Sequence, residues 1–221
     1  MRPNSQNVGI LNFGIGNIAS LRNAIAFLGH RITLCEKAEH LSCIDHLVLP
    51  GVGAFGKGMD LLRTAQLIDP IVDYTERGGH LLGICLGMQL LCDESEEFGQ
   101  HRGLGLIPGR VRKLGKQSGH SSAIRLPHVD WAPLIPTTGF CSSNYASIRH
   151  QFSSSDRFYF IHSYAVETTT DHVLATARHD DAEFAAIIAR GNIVGVQFHP
   201  EKSNKQGLAF LDKILQKEFT S

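Results

Sequence analysis

Residues 80–91 read HLLGICLGMQLL. An apolar run enters Gly83-Ile84-Cys85-Leu86-Gly87, and a second apolar run leaves it at helical spacing. This is the G-x-nucleophile-x-G form of a nucleophile elbow, where a strand turns sharply into a helix. The side chain at the apex sits on strained backbone, and the residues two positions to either side must be small because they crowd each other. A helix beginning there puts its positive end against the Cys85 thiol, which favours thiolate. The N–H of Leu86 then points to where an oxyanion would form. A structural reading fits the local pattern equally well: a small buried cysteine between glycines that permit tight packing. A thiol nucleophile needs a base, so the rest of the chain decides between the two.

Working outward, strands and helices alternate through the first half. NVGILNF, HRITLCE, IDHLVLP and HLLGIC read as strands. Between them lie a helix with Ile18, Leu21, Ile25 and Leu28 on one face, a helix around Met59–Leu67, and PIVDYTERGG, with Pro70 near its first turn. Asn17 is placed to cap the first helix and Gly29 to stop it. LGMQLLCDE reads as the helix after the elbow. Such alternation predicts an α/β fold with a mostly parallel central sheet flanked by helices.

After Gly99 the pattern changes. GRVRKL, SAIRLPHVDW, RFYFIHSYAV, HVLATARH, FAAIIA and IVGVQFH read as additional strands of the C-terminal half, with ARGN as a hairpin turn between the last two. KQGLAFLDKILQKEF closes the chain as an amphipathic helix, and residues 140–156 read as a serine-rich surface loop. The expected organisation is a frayed lead-in over residues 1–7 and one domain over 8–219.

The 221 residues are 43% hydrophobic and 19% charged, with zero formal net charge. That balance gives no electrostatic grip on nucleic acid or an anionic membrane. No apolar run is long enough to span a bilayer. Five irregularly spaced cysteines with no C-x-x-C pair argue against a thiolate zinc site and for reduced thiols in the cytosol. The 12 histidines show no ligand spacing such as H-x-x-x-H, so no metal is assigned.

The base comes from GVQFHPEKS. His199 ends an apolar strand before Pro200, and Glu201 lies two residues on, on the same side of an extended backbone. A glutamate there can bond one imidazole nitrogen and leave the other for the thiol, which is triad logic. His-Pro-Glu alone is more often a polar turn; together with the elbow it points to catalysis.

PGVGAF, GICLGMQLL and GVQFHPEKS, in this order, resemble the class I (triad-type) glutamine amidotransferases. YFIHSY, SEE after the elbow and LPHVDW are similar to the glutaminase subunits of that family that serve histidine biosynthesis. The similarity runs from Val8 to the last helix. It implies that Cys85 attacks the side-chain amide of glutamine, that His199 moves the protons and that Glu201 orients His199. It also implies an oxyanion site built from Leu86 and the loop Gly51-Val52-Gly53, a loop that in the family changes conformation when the partner engages. By the same resemblance Gln89 contacts glutamine, Glu97 binds its amino group, and Ser163 and Tyr164 line the pocket. No cofactor is implied.

The partner implied is a (β/α)₈ barrel synthase that receives ammonia through an internal tunnel, forming a heterodimer. Asn12, Asn17, Pro127, His128, Trp131 and Lys202 match the family's docking face. Asp130 stands where glycine is usual, Ala132 where asparagine is common, and Asn12-Phe13-Gly14 where the family has Asp-Tyr-Gly. A paralogous glutaminase that supplies ammonia for amidating a nucleotide-linked sugar is therefore the alternative. Outside the family, Gly14-x-Gly16-x-x-Ala19 with Glu36 after the next strand fits a dinucleotide-binding fingerprint. That reading leaves the elbow and His199 unexplained. A related cysteine hydrolase shares the elbow but does not predict Gln89, Glu97 or the PGVG loop, and a silent scaffold does not predict an intact triad.

Overall fold

The structure, a computed structural model, describes residues 5–115, 124–138 and 153–216. Residues 1–4 of the expected lead-in, the start of SAIRLPHVDW, most of the serine-rich loop with Cys141, and residues 217–219 lie outside them.

Strands β1 (Asn7–Leu11), β2 (Arg31–Cys35), β3 (His46–Gly51) and β4 (His80–Cys85) run parallel, in the order β2-β1-β3-β4. Helix α1 (Ile18–Phe27) joins the first two, and the Asn17 side chain accepts the Ser20 N–H at its start. Helices α2 (Phe55–Thr64) and α3 (Ile68–Glu76) join the next pair, and the five-residue α4 (Leu86–Leu90) follows the elbow.

The later strands are β5 (Glu94–Ser95), β6 (His101–Arg102), β7 (Arg110–Lys113), β8 (His128–Ala132), β9 (Ile135–Pro136), β10 (Phe158–His162), β11 (Tyr164–Glu167), β12 (Val173–His179), β13 (Ala182–Arg190) and β14 (Ile193–Val196). Helix α5 (Asn204–Ile214) follows. Strand β14 adds parallel to β4, and β13, β12 and β9 extend the sheet antiparallel to eight strands. Strands β8 and β10 form a ribbon, and β11-β7-β5-β6 a small second sheet.

The inner parallel strands β3, β4 and β14 are buried on both faces, which is why they read as largely apolar runs, while β2 at the edge is only partly buried. Their alternate residues feed two cores. Ile10, Val48 and Ile84 meet α1 and α5 through Leu21, Ile25, Phe210 and Leu211. Leu11, Leu47 and Leu49 meet α2 and α3 through Phe55, Met59, Leu62 and Ile71.

Four sequence expectations are corrected. Helix α2 starts at Phe55, inside the glycine-rich stretch. Its first N–H is taken by the Glu97 carboxylate, and Gly56 and Gly58 sit where a Cβ would strike His101 or press on Leu90. Helix α4 stops at Leu90, short of Glu94, because the carbonyls of Leu90, Leu91 and Cys92 accept N–H groups from Leu104 to Ile107 instead. RFYFIHSYAV is two strands, β10 paired with β8 and β11 with β7, broken at Ser163. Regular strand structure in LPHVDW begins only at His128, after a cis Leu126–Pro127 bond. The two-residue strands β5, β6 and β9 are too short to show a period.

His128 and His162 face each other under the ribbon, His128 Nδ1 to His162 Nε2 at 3.1 Å. His162 Nδ1 lies 2.9 Å from the Tyr164 carbonyl, which can only accept, so that nitrogen carries the hydrogen and His128 Nδ1 donates to Nε2. The His179 ring stacks on His128 at 4.2 Å. Burial pushes His128 down to about 4, with His179 adding to the fall and Asp130 and Asp180 opposing it. Burial likewise pushes His162 down to about 3, against the Tyr164 hydrogen bond and with the charges of His128, His179 and His199.

Both groups are depressed in the folded chain, so the unfolded chain binds their protons first. Their stabilisation is complete above pH ~6.5 and is lost as pH falls toward 4, at up to about 1.4 kcal/mol per pH unit for each group. Urea denaturation at pH 6.5, 5.5 and 4.5 is expected to show a shallower loss in His128→Gln than in the parent chain. Equal slopes would remove His128 from the acid response.

Candidate active site

Cys85 ends β4 with φ +54, a left-handed conformation on a residue other than glycine. The glycines around it have separate steric causes. A Cβ on Gly83 would lie 2.7 Å from the Gly87 carbonyl oxygen, and a Cβ on Gly87 would overlap the carbonyl oxygen of Leu49 in β3. Only the first is the crowding across the elbow that the sequence suggests; the second is the approach of the helix to the neighbouring strand.

His199 follows β14 and is buried, with its N–H bonded to the Tyr159 carbonyl and its own carbonyl accepting the Ser203 hydroxyl. Its Nδ1 lies 2.9 Å from Glu201 Oε1. The carboxylate accepts, so Nδ1 carries a hydrogen and Nε2 is the nitrogen left to exchange a proton with the thiol. Nε2 makes no well-formed hydrogen bond among the described residues. Burial lowers the imidazole, but the nearby Cys85 sulfur, the bond to Glu201 and the charges of both outweigh it and hold His199 up at about 9.

Cys85 opens on a cavity of about 220 Å³ lined by Val52, Gly53, Leu86, Gln89, Glu97, Ile161, His162, Ser163, Tyr164 and Lys202. The sequence-derived nucleophile, part of the loop and the four substrate residues therefore share one small space. Gly51 does not line it. It is the last residue of β3, paired with Cys85, and a Cβ there would lie 2.9 Å from Leu86 Cβ. Gly53 has φ +104 with open space around it, so backbone conformation alone calls for glycine. Gln89 Nε2 donates to the Tyr164 carbonyl at 2.9 Å and to Gln197 Oε1 at 3.0 Å. Glu97 Oε2 accepts the Phe55 N–H at 2.7 Å, leaving Oε1 for the cavity. Burial raises the Glu97 carboxyl, against the Phe55 bond and His101.

Sequence reasoning passed over Ile161, His162 and Gln197. The first two adjoin Ser163. Gln197 stands two residues before His199, and in extended chain that spacing places both on one side.

Of the docking-face residues, Pro127, Trp131 and Asn17 are exposed. Trp131 lies 5.7 Å from the Tyr159 ring, over which Lys202 Nζ also sits at 5.7 Å. His128 is the exception: it is buried, stacked in the histidine cluster, and supports this face from below. Asn12 bonds Glu36 at 2.6 Å, which occupies the acid of the dinucleotide fingerprint, and Gly16 packs on Pro50. Among the described residues, no group of three or more His, Cys, Asp and Glu is arranged to hold a metal ion.

The family model for glutamine amidotransferase class-I matches residues 10–217. The chain is 37% identical over 214 residues to imidazole glycerol phosphate synthase subunit HisH 1 of Legionella pneumophila (strain Lens), covering 95% of this chain and 99% of the relative. It is 39% identical to subunit HisH of Halalkalibacterium halodurans, covering 92% of each, and 39% identical to subunit HisH of Moorella thermoacetica, covering 96% and 93%. Among solved structures, a glutamine amidotransferase matches with TM-score 0.67 at 21% identity, covering 94% of this chain and 97% of that one. PurLQS from Thermotoga maritima matches with TM-score 0.68 at 19% identity, covering 96% and 98%. The family match over most of the chain and these relatives give one conclusion: the chain belongs to the class I glutamine amidotransferases, in the branch of the imidazole glycerol phosphate synthase subunit HisH.

Proposed function

We propose that this chain is the glutaminase subunit of an imidazole glycerol phosphate synthase, with Cys85 as nucleophile, His199 as base and Glu201 as its orienter. The observation that carries the assignment of roles is that the elbow cysteine shares a cavity with the Gln89 and Glu97 side chains and interacts, behind it, with a buried His199 paired to Glu201. Its volume suits a single amino acid, below the ~300–1000 Å³ of drug-sized pockets.

His199 takes the Cys85 thiol proton, the sulfur attacks the carboxamide carbon, a C–S bond forms, and the carbonyl electrons move to oxygen, stabilised by the Leu86 N–H and the backbone at Val52 and Gly53. Protonated His199 gives its proton to the amide nitrogen. The C–N bond breaks, and ammonia leaves a glutamyl thioester. His199 then takes a proton from water, whose oxygen attacks the thioester carbon; the C–S bond breaks, glutamate is released, and the sulfur leaves as thiolate beside the protonated His199. Glu97 Oε1 binds the substrate ammonium.

Ammonia set free in neutral water is protonated and ceases to be a nucleophile. The reading therefore includes a synthase partner, of barrel form, seated over Asn17, Pro127, Trp131 and Lys202. The HisH relatives favour this over the sugar-amidating alternative. A cytosolic setting suits the free thiols of Cys35, Cys43, Cys85 and Cys92, and no described helix is long and apolar enough to cross a membrane.

In the complex with the synthase subunit, Cys85→Ala should abolish glutamine-dependent synthesis and leave synthesis from ammonium salts intact. Loss of both with the complex assembled would contradict these roles. Glu201→Gln should lower kcat for glutamine hydrolysis on the order of 10²–10⁴-fold.

His199 is raised in the folded state, so its contribution to stability is complete below pH ~6.5 and lost as pH climbs through about 9. Thermal denaturation of the parent should show that alkaline loss, and Glu201→Gln should diminish it. An unchanged profile would mean that Glu201 does not hold the imidazolium.

A further inference from the structure

The GVQFHPEKS motif leaves Gln197 without a role, yet this side chain is fully buried between the nucleophile and Gln89. Its Nε2 lies 3.7 Å from Cys85 Sγ and its Oε1 accepts from Gln89. We infer that Gln197 acts directly on the nucleophile, donating an amide hydrogen to the Cys85 sulfur, and at the same time fixes which end of Gln89 faces the substrate. This rests on the glutaminase reading above.

Backbone chemistry sets the direction of the whole chain of amides. The Tyr164 carbonyl cannot donate, and it already accepts from His162 Nδ1. The Gln89 atom facing it must therefore be nitrogen. The same nitrogen meets Gln197, so the Gln197 atom there must be oxygen, and its NH₂ is directed to Cys85. Reversing Gln197 would set NH₂ against NH₂ and a carbonyl oxygen against sulfur.

Two consequences follow for the reaction. Sulfur receives a donor that strengthens as negative charge builds on it, beside the imidazolium of His199. Gln89 has spent both amide hydrogens on Tyr164 and Gln197, so it offers the cavity only its Oε1. That atom accepts from a carboxamide NH₂, which glutamine has and glutamate lacks. Binding of substrate over product is thereby favoured at one atom.

Two variants separate the functions. Gln197→Glu keeps size and the acceptor for Gln89 and, once ionised, replaces the donor at sulfur with a negatively charged oxygen. Gln197→Leu removes both. For Gln197→Glu we expect kcat to fall roughly 10- to 100-fold, with KM within about threefold of the parent. For Gln197→Leu kcat falls similarly and KM rises about tenfold as well. Iodoacetamide alkylation of Cys85, followed by mass spectrometry of its peptide across pH, should shift its midpoint upward in both variants, by about one pH unit or more in Gln197→Glu.

Unchanged midpoints in both variants, or equal losses of kcat and KM that track a lowered melting temperature, would overturn the inference and leave Gln197 a packing residue. Alkylation needs no glutamine turnover. A parent chain that does not hydrolyse glutamine in its complex, with the midpoint shifts present, would defeat the glutaminase reading and leave the contact with sulfur standing.

Discussion

Everything at this site depends on how closely α4 is pressed onto β3. The backbone of Gly87 lies so near the Leu49 carbonyl that no side chain fits between them, and Gly51 also approaches Leu86 too closely to carry a Cβ without a shift. With the helix held there, the chain can leave β4 only through a left-handed residue, and Cys85 is that residue. Such a conformation costs on the order of 1–3 kcal/mol and persists only where neighbours over-determine it. Here β3 and β14 pair with β4 on both sides, so the strain is supported by the most buried part of the sheet.

The same arrangement explains why the chemistry gathers where it does. Strands β1, β3, β4 and β14 all finish at one edge of the sheet, and they deliver Asn12, the Gly51–Gly53 loop, Cys85 and the His199–Glu201 pair there. Ligands in open α/β sheets bind at the carboxyl ends of parallel strands for this geometric reason. Polar groups at such depth need partners, and they find them in each other: Glu201 for His199, Tyr164 for Gln89, Gln197 for both Gln89 and the thiol.

Parallel strands were legible because burial on both faces writes an apolar run into the sequence, and amphipathic helices because burial on one face writes a period. The elbow and the His-Pro-Glu segment were legible because they are local motifs. What escaped is set by contacts across the fold. Helix α2 begins at Phe55 because a carboxylate 42 residues away, on Glu97, bonds its first N–H. Helix α4 ends early because a returning segment takes its carbonyls. His128 looks like a surface residue in LPHVDW, and only the packing of β8 against β10 and β12 shows it buried. Gln197 was within reach, since it shares a side of the chain with His199, but its two partners lie far off in sequence.

The loop between β3 and α2 is clamped at both ends. Gly51 is fixed in the sheet against Leu86, and Phe55 is tied to Glu97. Only Val52, Gly53 and Ala54 lie between these anchors. A span that short cannot lift away like a flap; its remaining freedom is the turning of peptide planes in place, in the manner of a crank between two bearings. Gly53, with open space around it, is the bearing that turns most easily. Any rearrangement of the amides facing the cavity is then a rotation about a fixed axis, with the exposed Val52 side chain as its outward end.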